Sequence, residues 1–187
     1  MSFYFDLDIK SPSRRRMRDI YNVFTGVAGP YGEVTITVTR VPRKAELSST
    51  TLPSAWILHP LGIREGLVTI DETTRLVVGD HEAELVQNRR ALRKEDRGLH
   101  IHIGDRNYQY LAVKPRKEEL SDTLRGPVCR IERTPKVLMR VTVLPNADPT
   151  DIALALILQG ADRHNLTLAR AVASNIWYFF NNGTAPT

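Results

Sequence analysis

The chain has 187 residues, 42% of them hydrophobic and 25% charged, with a net charge of +5; this suits one domain spanning residues 1–187 and argues against long disorder. Its single cysteine, Cys129, excludes an intrachain disulfide, and the opening ten residues carry acids where a signal peptide needs an apolar run, so a cytoplasmic protein is expected. The longest apolar run, Ile152 to Leu158, falls far short of the roughly 18 residues that cross a bilayer, and no transmembrane segment is expected.

In chain order, Phe3, Phe5, Leu7 and Ile9 alternate with polar residues and predict a half-buried strand. Ser11-Pro12-Ser13 then breaks the pattern, and Met17, Ile20, Tyr21 and Phe24 recur at helical spacing, predicting an N-terminal amphipathic helix that ends near Gly26. Val34, Ile36 and Val38 alternate with threonines, a strong strand signature, because branched side chains suit a pleated surface. Residues 42–54 show neither period and predict an exposed, flexible loop.

From Ala55 to Leu144 short strand candidates follow one another, near 55–61, 66–71, 74–79, 82–87, 98–103, 107–113, 128–133 and 136–144. Turn signals such as Gly79-Asp80 and Gly104-Asp105 separate several of them, which predicts an antiparallel meander. A charged stretch from Lys114 to Pro127 interrupts it, with one helical turn expected at Lys117 to Leu120.

The period then changes. Asp148-Pro149-Thr150-Asp151 places a capping aspartate, a first-turn proline and a further acid in the order that starts a helix. The run Ile152 to Leu158 is apolar on every face, so this helix must be surrounded rather than laid on one sheet. Gly160 and the polar Asp162-Arg163-His164-Asn165 end it, and Ala169, Val172, Ala173, Ile176, Trp177 and Phe180 predict a final amphipathic helix with an aromatic end. The fold class expected is α+β: a β-meander closing into a barrel-like sheet around a buried apolar C-terminal helix, with an amphipathic helix before and after.

A meander followed by an all-apolar helix resembles the tubby-like superfamily, which includes the LURP-one-related and phospholipid-scramblase-like proteins. The residues that carry the resemblance are Asp148-Pro149-Thr150-Asp151 and the Ile152 to Leu158 run, preceded by Val137, Met139, Val141 and Val143. It implies a closed barrel wrapped around a central helix, and association with phosphoinositide or lipid, or a scaffold role. A second helix after Asn165 departs from the simplest form of that pattern. No binding residue of the family can be placed on this chain.

Candidate sites are few. His100 and His102 share one face of their strand, within reach of a single metal ion. Leu99, Ile101 and Ile103 claim the opposite face for the core, which turns the histidines toward solvent, and no third ligand follows at metal-motif spacing. The pairs Asp6 and Asp8, and Glu82 and Glu84, are read as solvent-face carboxylates, and Cys129 as a small core residue. No phosphate loop, nucleophile elbow, zincin or dinucleotide motif occurs, so no cofactor is expected and no catalytic residue can be named.

Basic clustering is the most suggestive feature: Arg14, Arg15, Arg16 and Arg18; Arg89, Arg90, Arg93 and Lys94; and Lys114, Arg116 and Lys117. These are the anion-binding candidates, and their alternative role is a solvated face. The expectation is a non-enzymatic binding or scaffold module that meets an anionic lipid headgroup or an acidic protein. A nucleic-acid-binding protein using the same clusters, and a small metal-dependent hydrolase using His100 and His102, are the alternatives. Oligomeric state is not legible.

Overall fold

The structure, a computed structural model, describes residues 2–10, 19–60, 66–87, 98–133 and 139–162. Twelve antiparallel strands form a closed barrel: β1 (Phe3–Lys10), β2 (Ile20–Val27), β3 (Glu33–Thr39), β4 (Arg43–Ser49), β5 (Ala55–His59), β6 (Arg75–Val78), β7 (His81–Gln87), β8 (Leu99–Ile103), β9 (Arg106–Lys114), β10 (Lys117–Asp122), β11 (Gly126–Glu132) and β12 (Met139–Val143). Each strand pairs with its neighbours in the chain, and β12 closes on β1 in the register Phe3↔Val143, Phe5↔Val141 and Leu7↔Met139. Closure removes both sheet edges, so every strand has a partner on each side.

Period-two alternation sets what faces the lumen. Val34, Ile36 and Val38 on β3, Leu99, Ile101 and Ile103 on β8, and Met139, Val141 and Val143 on β12 are buried. Eight strands leave room only for side chains, whereas twelve enclose a space wide enough for an α-helix, whose diameter is roughly 10 Å. That space holds α1 (Pro149–Ile157) and a following 3-10 turn, Leu158–Gly160. Every residue from Asp151 to Ala161 is buried, as an apolar run on all faces requires.

The helix starts where the sequence places it. Asp148 caps it by accepting from the backbone N–H groups of Thr150 and Asp151, while the Asp151 carboxylate accepts from the Asp148 N–H at 2.8 Å. This reciprocal capping box satisfies N–H groups that would otherwise be orphaned in a dry lumen. At the other end Val68 N–H donates to the Gly160 carbonyl at 2.9 Å, and Asp162 N–H donates to Val68 at 2.6 Å. Residue 68 thereby makes a single parallel bridge with Ala161 and anchors the point where the chain leaves the lumen.

Gly160 has a steric reason. A Cβ built there would stand 2.3 Å from the Ala45 Cβ, far inside van der Waals contact. Gly160→Ala is expected to cost about 1–3 kcal/mol through overpacking, and Ala45→Gly in the same chain to recover part of that loss. Urea unfolding of the two single variants and the double variant checks this: additive losses would mean the two positions do not share the contact.

Several expectations from the sequence are corrected. Ile20, Tyr21 and Phe24 belong to strand β2, which is hydrogen-bonded to β1 and β3, so they do not form a helix; Phe24 is buried toward the lumen. The branched and aromatic richness of Ile20–Val27 is a strand signal that the chance helical spacing from Met17 masked. Residues 43–49 form strand β4 within the expected loop 42–54; of the inward residues Arg43, Ala45 and Leu47 only Leu47 is large and apolar, so no alternation shows. Lys117–Asp122 is strand β10 rather than a helical turn, and residues 66–71 contribute one bridge rather than a strand. Met17, Arg14, Arg15, Arg16, Arg18 and the final helix expected after Asn165 lie outside the described residues.

Candidate functional site

The up-and-down topology gives the barrel two mouths with different chemistry. At the entry mouth, where α1 begins, β9 supplies Arg106 and Tyr108, the end of β10 supplies Asp122, and the β10–β11 turn supplies Arg125. The Arg125 guanidinium donates to both oxygens of the buried Asp151 at 2.8 and 2.9 Å, to Asp122 at 2.9 Å and to the Asn146 carbonyl at 3.0 Å. Tyr108 donates its hydroxyl to Asp151 Oδ1 at 2.8 Å, and Arg106 donates to Asp148 and to the Tyr108 hydroxyl.

These contacts shift the groups in consistent directions. Hydrogen bonds from Arg125 to Asp151 and Asp122 hold the guanidinium proton more tightly than usual, against the effect of burial. Burial, joined by the bond to Asp151, pushes the Tyr108 phenol up despite the nearby Arg106. Burial alone would raise the Asp122 carboxyl, but the Arg125 side chain and the backbone N–H groups of Arg125 and Leu124 hold it below its ordinary value. The network's donors and acceptors are spent on one another, and it fixes the helix start while lining a shallow groove of about 470 Å³ with Asp105, Asn107 and Leu124.

The exit mouth gathers the opposite strand ends. Lys10 ends β1, Arg43 and Lys44 open β4, and the turn from Lys114 to Lys117 joins β9 to β10. Arg116 occupies the left-handed region at φ 66° beside Pro115, the backbone of a tight turn that raises the Lys114, Arg116 and Lys117 cluster at the rim. Asp19 and Lys10 bracket the segment bearing Arg14, Arg15, Arg16 and Arg18, and Gln87 and Gly98 bracket the one bearing Arg89, Arg90, Arg93 and Lys94. Both clusters lie outside the described residues, yet the strand ends that flank them all belong to this mouth. Among the described residues the acids there are Asp8, Asp19, Asp71, Glu72, Glu118, Glu132 and Asp162, with Glu132 paired with Lys117 at 2.9 Å; the connections outside them carry Glu65, Glu95 and Asp96 beside their basic residues.

Inside the exit mouth, His59 at the end of β5 is opposite Arg43 at the start of β4, and both face the lumen. His59 Nε2 is 2.8 Å from Asp71 Oδ2, and Asp71 also accepts from the Thr73 N–H at 2.9 Å and the Thr73 hydroxyl at 2.7 Å. Burial opposes the charge on Asp71, but the bonds from His59 and Thr73 prevail and bring its carboxyl down to about 2.

The remaining candidates disperse. His100 and His102 project outward from β8 as expected, line an open groove of about 480 Å³ with Glu84, Val86 and Asn107, and His102 Nδ1 is 2.9 Å from Asn107 Oδ1. Among the described residues no group of three His, Cys, Asp or Glu side chains could hold a metal ion. Asp6 is paired across the β1–β12 seam with Arg140 at 2.9 Å, and Glu82 with Arg75 at 2.7 Å. Cys129 is fully buried, and burial together with the field of Asp151 and Asp148 pushes its thiol far up, which disfavours the thiolate.

Arg43, Asp71, Arg106 and Arg125 carry no motif in the sequence, where His59 stands only as one of three scattered histidines with His81 and His164; strand pairing and the entry of α1 bring their partners to them. Compared with family models, curated proteins and solved structures, the chain matches none. Among the described residues no helix is long and apolar enough to cross a membrane.

Proposed function

We propose that this chain is a non-enzymatic binding module of the tubby-like kind, which meets an anionic lipid surface with its exit mouth. The observation that carries the reading is the polarity of charge along the barrel. The entry mouth holds Glu33, Asp80, Asp105, Asp122, Asp148 and Asp151 against Arg106 and Arg125, whereas both arginine clusters are bracketed by strand ends of the exit mouth. A dipole of this kind orients the molecule before contact.

Apolar side chains interleave with the basic ones at the same mouth. Val41 is 76% exposed beside Arg40, and Val113 is exposed beside Lys114. Short apolar tips among cations suit a headgroup region better than a nucleic-acid backbone, which rewards cations alone. The closed barrel around an enclosed helix is also the layout that carries the tubby-like resemblance.

Sedimentation with phosphatidylcholine vesicles containing phosphatidylserine, in parallel with DNA retention at two salt concentrations, tests the proposal. Each basic residue near such a surface contributes about 1 kcal/mol, so replacing Arg14, Arg15, Arg16 and Arg18 by alanine is expected to weaken vesicle binding by tenfold or more. DNA retention exceeding vesicle retention at both salts would replace this reading with nucleic-acid binding, and retention by neither would leave the arginines as a solvated face.

A further inference from the structure

Arg43 is 5% exposed, and a guanidinium keeps its charge at any physiological pH. Its only hydrogen bond from the side chain among the described residues is a long one, Nη1 to the neutral Thr69 Oγ1 at 3.4 Å. Nη2 is buried without a partner. Opposite it, His59 is 9% exposed, and its Nδ1 is likewise buried without a partner. Asp71, the acid bonded to His59, is committed to His59 Nε2 and to Thr73. A buried charge without a counter-charge is among the most unfavourable features a core can contain, and a bound ion that supplies the missing partner is one arrangement that relieves it.

We infer that Arg43 and His59 form a binding site, inside the exit mouth, for one small oxyanion of the phosphate or phosphomonoester class. Arg43 Nη2 supplies a charged donor. With Nε2–H directed at the Asp71 carboxylate, the His59 ring presents Nδ1 to the same space, and in its protonated form it adds a second charged donor. Thr69 Oγ1, which accepts from Arg43 Nη1, adds a neutral hydroxyl, so the three groups come from β4, β5 and the segment after it. Asp71 orients the imidazole and is a positioning residue. This site is distinct from the arginine clusters and stands whether or not the mouth meets a membrane.

Calorimetric titration of inorganic phosphate into the full chain, with chloride as the control, is the test. One saturable phosphate per chain is expected, about tenfold weaker or worse in Arg43→Gln and unchanged in Lys114→Gln. Should Arg43→Gln fail to fold, the wild-type chain decides: the His59 ring resonances must move with phosphate and not with chloride. Vesicles of phosphatidylcholine carrying phosphatidic acid separate the sources. Retention competed by phosphate assigns a lipid headgroup and phosphate binding without retention assigns a soluble ligand; both support the site. No saturable phosphate binding, or binding that a folded Arg43→Gln retains in full, would overturn it. Loss of vesicle retention with phosphate binding intact counts against the membrane reading alone.

Discussion

Asp151→Ala is expected to lower the unfolding free energy by about 3–5 kcal/mol, the range for removing one partner of a buried, hydrogen-bonded ion pair. The carboxylate is fully buried and accepts two bonds from Arg125, one from the Tyr108 hydroxyl and one from the Asp148 backbone N–H. Alanine leaves the phenol and the N–H without an acceptor, and Arg125 with only Asp122 and Asp148 as carboxylate partners. Asp151→Asn preserves the shape and one carbonyl acceptor and is expected to cost less than half as much. The check is the urea midpoint at constant m-value. A loss under 1 kcal/mol for the alanine variant would show that the entry-mouth network does not hold the helix in place.

Leu154→Ala is the second large effect, expected in the upper half of the roughly 2–5 kcal/mol range for large-to-small core changes. Leu154 lies midway along α1, fully buried, and α1 is ringed by strands from opposite sides of the barrel, β4, β5, β6 and β11 among them. A closed wall of paired strands cannot collapse into the vacancy as a loosely packed helix can, so most of the cavity persists. Leu124→Ala is the matched control: Leu124 is 94% exposed, and its replacement is expected to stay within about 0.5 kcal/mol. Thermal unfolding of both variants checks the pair. A Leu154 loss no larger than that of Leu124 would contradict an enclosed helix.

What was legible in the sequence is what depends on neighbours along the chain. The start of α1 could be read because capping chemistry is local: Asp148, Pro149 and Asp151 act on N–H groups two or three residues away. Its enclosure could be read because Ile152 to Leu158 leaves no polar face for solvent. The strands β3, β8 and β12 declared themselves by clean alternation, and the outward direction of His100 and His102 followed from the same period.

Tertiary structure decided the rest, because those features arise from pairings that no local pattern encodes. Ile20–Val27 is a strand because β1 and β3 supply its hydrogen-bond partners, and a spacing of three and four residues cannot compete with a ladder on both sides. Arg43, Ala45 and Leu47 form an inward row because β3 and β5 pair with β4 on both sides, and with Ala45 held small against Gly160 and Arg43 charged the row shows no apolar alternation in the sequence. Arg125 meets Asp148 and Asp151 only once α1 enters the barrel, and Arg43 meets His59 only once β4 pairs with β5. Closure also assigns each connection to one mouth or the other, and that assignment turns scattered charges into a polarity. The sequence by itself determined an apolar helix that had to be surrounded; the barrel decided what surrounds it, because only a closed ladder satisfies every strand while leaving a dry interior for that helix.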